Sequence, residues 1–168
     1  MESAGAFERD LAQLLPRLRR FAHALSRNAA DADDLTQATV ERALRSREQW
    51  QPGTRLDSWL YRIMRNLWID TARARTRKDR YEAPEDEAAM AGHDPREAIE
   101  ASLEVGRAMA AMERLPDEQR EIVALILIEG FGYREVSEML DLPIGTVSSR
   151  LVRGRIALLD MLGGSADG

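Results

Sequence analysis

Residues Gly130–Arg155 read GFGYREVSEMLDLPIGTVSSRLVRGR, two helically spaced apolar runs separated by a five-residue breaker. In the first run, Val136, Met139 and Leu140 recur at the i, i+3, i+4 spacing of a buried helical stripe. Asp141, Leu142, Pro143, Ile144 and Gly145 interrupt it. Proline lacks the N–H needed to continue a helix, and glycine tolerates the bend. A second helix is expected from about Thr146, whose hydroxyl suits a helix N-terminus. Val147, Leu151, Gly154 and Leu158 would form its inner row, while Thr146, Ser149, Arg150 and Arg153 share an outer face. An apolar back and a Ser/Thr/Arg front are what a helix needs to lie in a DNA major groove. Small hydroxyls permit close approach, and arginines reach guanine edges or phosphates.

Charge distribution divides the chain. The net charge of −5 disfavours indiscriminate nucleic-acid binding. Between Arg55 and Arg80, however, eight basic residues face three acids, a net of +5. From Glu82 to Glu104, eight acids face Arg96 alone, a net of −7. The sign changes near residue 81, where a domain boundary is expected. Tyr81 to Arg96 is acidic, contains Pro84 and Pro95 and lacks apolar periodicity, so it reads as a flexible linker.

The remaining segments are helical in pattern, and 32% charged with only 5% aromatic residues fits an all-α chain. Phe7 to Ser26 places Leu11, Leu14, Leu15, Leu18, Phe21, Ala22 and Leu25 inward, with a kink or break expected near Leu15 because of Pro16. Asn28 to Ala30 read as a turn, Asp31 as the cap of a helix reaching about Arg47, and Asp34, Gln37 and Glu41 as its exposed polar stripe. After a loop from Glu48 to Arg55, a long helix starting at Asp57 or Ser58 runs to Lys78. Trp59, Leu60, Ile63, Leu67 and Ile69 or Thr71 give it an apolar side, while Tyr61, Arg62, Arg65, Asn66, Trp68 and Arg73 decorate the remainder. Aromatic residues among arginines beside a loop are the chemistry that holds single-stranded DNA. Trp59 reads better as core; Trp68 fits core and stacking equally. Two further helices follow, Ala98 to Arg114 with Ile99, Leu103, Ala110 and Met112 inward, and Pro116 to Glu129, stopped by Gly130; Gly163 to Gly168 form a frayed tail.

Other chemistries find little support. The chain has no cysteine, and His23 and His93 lack ligand spacing, so no metal site, cofactor or catalytic residue is expected. No apolar run approaches membrane-spanning length and no leader pattern opens the chain, so a cytoplasmic protein is expected. A helix-turn-helix repressor would leave the first 80 residues without a purpose, and no heptad seam provides its usual dimer.

Three stretches together resemble the group-IV, extracytoplasmic-function (ECF) sigma factors of bacterial RNA polymerase. DADDLTQATVERAL (Asp31–Leu44) is similar to region 2.2, SWLYRIMRNLWIDTARARTRK (Ser58–Lys78) to regions 2.3 and 2.4, and Leu115–Arg155 to region 4. The resemblance implies a σ2 domain at residues 1–80, a linker at 81–97 and a σ4 domain at 98–168. It implies core polymerase as partner, through the β′ clamp helices and the β flap, together with promoter DNA and an anti-sigma factor. Asp34, Leu35 and Gln37 match the clamp-binding segment, with Glu41 on the same helix where the family is usually apolar. Asn66 matches an asparagine associated with a flipped −10 base. Arg62, Arg65, Arg73 and Trp50 of the adjoining loop would complete that −10 surface. Thr146, Ser149, Arg150, Arg153 and Arg155 fall in the −35 reading helix, as does Ser148, where many relatives carry Arg or Lys.

Overall fold

The computed structural model describes residues 2–79 and 100–163. The expected linker, the helix start at Ala98 with Ile99, His93 and the tail beyond Gly163 lie outside them. Described residues are helical or in short turns, and the chain divides into two compact units, Met1–Met90 and Ala91–Gly168.

The N-terminal unit packs three helices on one another: α1 (Glu2–Ser26), α2 (Ala29–Arg45) and α3 (Leu56–Asp79). Phe7, Leu11, Leu18, Phe21, Ala22, Leu25, Leu35, Leu60, Tyr61 and Met64 are buried between them. α1 runs through Pro16 without interruption, against expectation. Pro16 and Ala12 are both exposed, so the Ala12 carbonyl that loses its donor faces water, and burial of Leu11 and Leu18 holds the helix together. α2 also starts earlier than expected. Asn28 is its cap and accepts the Asp31 N–H at 3.1 Å. That leaves the Asp31 carboxylate to receive Arg75 of α3 in a two-pronged pair at 2.7 and 2.8 Å. α2 ends at Arg45, and a 3-10 turn (Arg47–Gln49) leads into the loop.

Tyr61 departs most from the expected pattern. Its ring is 1% exposed and meets Phe21 edge-on at 4.9 Å, so it belongs to the core rather than to the outer face of α3. The buried row is Leu56, Leu60, Tyr61 and Met64, while Trp59, Ile63, Leu67, Trp68 and Ile69 are half-buried and Thr71 is exposed.

The C-terminal unit comprises α4 (Glu100–Glu113), α5 (Asp117–Val123), a π-helical continuation (Ala124–Ile128), α6 (Tyr133–Leu140) and α7 (Ile144–Gly163). α7 packs on α4, α5 and α6. On α4 the inward residue is Ala111; Leu103 and Ala110, expected inside, are exposed. Arg120 is 2% exposed, donating to the Leu115 carbonyl at 2.7 Å and to Asp117 at 2.6 Å, so its buried charge is satisfied. After Gly130, with φ +78°, Phe131 enters the core at 2% exposure. The turn between α6 and α7 forms where Asp141 takes a left-handed conformation, φ 54°, and its N–H and that of Leu142 both bond the Ser137 carbonyl. α7 begins two residues before Thr146, and Val147, Leu151 and Gly154 are buried as expected, with Leu158 half-buried.

Candidate nucleic-acid interfaces

On α3, Arg62, Arg65, Asn66 and Arg73 stand at i, i+3, i+4 and i+11, so one face of the helix carries all four. Arg65 is half-buried and the others are exposed. Beside this ridge is a cleft of about 220 Å³ lined by Arg42, Ser46, Gln49, Trp59, Ile63, Asn66, Leu67 and Asp70. Its apolar wall is Trp59, Ile63 and Leu67, and its polar edge combines donors with one carboxylate. A flat, partly polar ring fits such a lining: the wall offers stacking and the edge offers hydrogen bonds. The structure thus brings Asn66 together with Gln49 at the start of the expected loop.

Trp50 is placed differently. Its ring lies 5.6 Å from Phe7, half-buried, with an indole N–H that is enclosed and has no partner. Trp59 also packs near Phe7, at 6.3 Å. Trp50 thereby ties the loop to α1, while Trp59 serves both the aromatic cluster and the cleft.

Ion pairs hold the ends of α3. Asp57 receives Arg55 at 2.9 and 3.2 Å, Arg17 of α1 at 3.2 Å and the Ser58 N–H at 2.8 Å. Burial works to raise its pKa, but the hydrogen bonds from Arg55 and Ser58 and the charges of both arginines outweigh that, leaving the carboxyl below its ordinary value. At the other end the hydrogen-bonded Arg75 guanidinium lowers the pKa of Asp31, despite some burial. Arg75 also lies over Trp68, 5.8 Å from the ring centroid. No local spacing marks the Arg17–Asp57 and Arg75–Asp31 pairs, whose partners lie about forty positions apart in the chain.

On α2, Asp34, Gln37 and Glu41 are exposed along one face, with Gln37 3.4 Å from Glu41. Leu35 is 5% exposed, so its side chain anchors that face from beneath rather than lying on it.

On α7, Ser149 and Arg153 are exposed and Thr146 and Arg150 half-buried, along one flank. The Ser149 hydroxyl donates to the Thr146 carbonyl at 3.2 Å, and Arg150 lies 3.7 Å from Glu118 of α5. Ser148 and Arg155 are exposed too, but on the far side of Val152, so the six expected contact residues form two groups. α7 can approach α5 this closely because of Gly154: a Cβ there would stand 2.7 Å from Val123 Cγ2.

The sigma-70 region 2 family matches residues 11–78, and the sigma-70 region 4 family matches residues 106–158. The ECF sigma factor EcfG of Rhodopseudomonas palustris is 37% identical over 153 residues, covering 91% of this chain and 83% of that protein. The chain belongs to the ECF RNA polymerase sigma factors. It is also 43% identical over 148 residues to SigE of Mycolicibacterium smegmatis, where the match covers 87% of this chain but 57% of that longer relative. Among solved structures, the sigma factor RpoE in complex with the anti-sigma factor NepR from Bartonella quintana superposes with a TM-score of 0.84 at 30% identity, covering 94% of this chain and 97% of that one. The α3 ridge and its cleft thus fall within region 2, and α6 and α7 as far as Leu158 within region 4. No helix among the described residues is long and apolar enough to cross a membrane.

Proposed function

We propose that this sigma factor binds core RNA polymerase and directs transcription initiation at promoters bearing matched −35 and −10 elements. The observation that supports this best is the pairing of two faces of different character in one chain, in the family's order. The α3 ridge of Arg62, Arg65, Asn66 and Arg73 adjoins a cleft suited to an extruded base, whereas α7 offers Thr146, Ser149, Arg150 and Arg153 on a helix narrow enough for a major groove. In this reading residues 1–80 form the σ2 domain, 81–97 the linker and 98–168 the σ4 domain. Asp34, Gln37 and Glu41 dock on the β′ clamp helices over the buried Leu35, and the σ4 domain meets the β flap. Trp50 holds the −10 loop in place through Phe7, and Ser148 and Arg155 contact phosphates on the far flank of α7.

The chain performs no bond-making chemistry of its own; the polymerase supplies it, in the cytoplasm. Bartonella RpoE is held by an anti-sigma factor, and the same kind of control is proposed here. Run-off transcription on genomic DNA with purified core polymerase tests the function. Discrete transcripts that depend on the added chain are expected; identical transcript patterns with and without it would refute the proposal.

A further inference from the structure

We infer that Glu118, in the first turn of α5, is a positioning residue for Arg150, holding its guanidinium in the pose from which it discriminates a base of the −35 element. This rests on Arg150 being a DNA contact. Arg150 precedes Gly154 by one helical turn on the same side of α7, and Gly154 is where α7 closes on Val123 and Gln119 of α5. Arg150 is therefore turned toward the start of α5, where Glu118 Oε2 stands 3.7 Å from its Nη2. The Arg150 side chain is 22% exposed and that of Glu118 is 71% exposed, so the pair sits at the rim of the reading face. A separation of 3.7 Å is an ionic contact rather than a hydrogen bond. The guanidinium is thus restrained while its fork of donors stays available to a base edge.

An exposed ion pair contributes little to stability. Its worth is in preorganisation: a long side chain held near its bound pose loses less rotamer freedom on binding. The carboxylate adds a second effect. Beside the DNA it repels phosphates, which penalises binding in any register where Arg150 is not engaged. Removing its charge should therefore tighten binding to arbitrary duplex and weaken sequence preference together, which a purely structural role for Glu118 would not do.

The full chain bound to core polymerase would be used to select a −35 sequence from a randomised library, and affinities then measured for that sequence and its single-base variants. Glu118→Gln is expected to lower the preference for the selected base by about two- to fivefold, the range an exposed pair's coupling permits. The loss should fall at the same base position affected by Arg150→Ala, and Glu118→Gln should have no further effect once Arg150 is removed. An unchanged thermal midpoint of Glu118→Gln would show that folding is intact. If Arg150→Ala lowers the preference and Glu118→Gln does not, the positioning role is overturned while the functional reading stands. If Arg150→Ala leaves DNA binding unchanged, Arg150 is no contact, and the inference falls with that assignment.

Discussion

Gly154→Ala adds a single methyl group where the new Cβ would stand 2.7 Å from Val123 Cγ2 and 3.5 Å from Gln119 Cβ. Non-bonded carbons settle at about 3.5–4.0 Å, so either α7 retreats from α5 or Val123 leaves its rotamer. Val123 is 1% exposed and β-branched, which makes the second route stiff. Overpacking of this kind costs about 1–3 kcal/mol. Alanine's better helix propensity returns about 1 kcal/mol, so a net loss of up to about 2 kcal/mol is expected. Val123→Ala removes the obstructing methyls and by itself costs about 2 kcal/mol. In that background the Gly154→Ala methyl keeps only ordinary van der Waals contact with Gln119, at 3.5 Å from its Cβ, and its effect should change sign to a gain of about 1 kcal/mol. Urea unfolding followed by far-UV circular dichroism measures the cycle. Trp50, Trp59 and Trp68 all lie in the N-terminal unit, so their fluorescence reports the unfolding of that unit separately. Equal destabilisation by Gly154→Ala with and without Val123 would refute the argument that helix approach dictates this glycine.

Asp57 and Asp31 have lowered pKa values, so the stability they contribute is complete above the ordinary carboxylate pKa of about 4 and is lost as pH falls through their folded values. Tryptophan-monitored unfolding midpoints should therefore fall on acidification below that point, less steeply in Asp57→Asn. Asn66→Ala should impair strand opening, read by permanganate footprinting, while leaving −35 affinity unchanged. Arg153→Ala is expected to cost about 1–3 kcal/mol and relax preference at one −35 position, whereas a uniform loss with a shallower salt slope would make it a phosphate contact. Gln37→Ala combined with Asp34→Ala should weaken core binding, measured by titration, without shifting the unfolding midpoint.

What could be read from the sequence was what periodicity and turn chemistry encode locally. The inner row Val147, Leu151 and Gly154 was legible because each residue recurs on one side of a helix bounded by Pro143 and Gly145. Tyr61 misled because the tyrosine hydroxyl looks outward-facing in a pattern, and only the presence of Phe21 across the packing explains its burial. Pro16 misled in the opposite sense, since a local rule for helix breaking gave way to tertiary burial of Leu11 and Leu18. On α4, Leu103 and Ala110 were expected inside and Ala111 lies there instead, because the neighbouring Ala108, Ala110 and Ala111 carry almost no directional signal. Among the site residues, the spacing of Arg62, Asn66 and Arg73 was visible, but the contribution of Arg42 in α2 and of Ser46 just past its end was not. The same holds for Glu118, because ion pairs across helices leave no trace in spacing.

The π-helical turn after Val123 sets the angular phase of everything that follows it. The Glu129 N–H reaches back five residues to the Ala124 carbonyl, and the Phe131 N–H reaches six residues to Leu125. One residue more than an α-helical turn is thus wound in before the chain leaves for α6, which turns Leu127 and Ile128 outward and delivers Phe131 to the core. Deleting a single residue from Ala124–Ile128 would let an ordinary turn form, with better hydrogen bonds, yet swing Phe131 by about 100° about the helix axis. Local helix quality would improve while the reading helix lost its anchorage. A length change of one residue here should therefore be far more damaging than most substitutions in the same stretch.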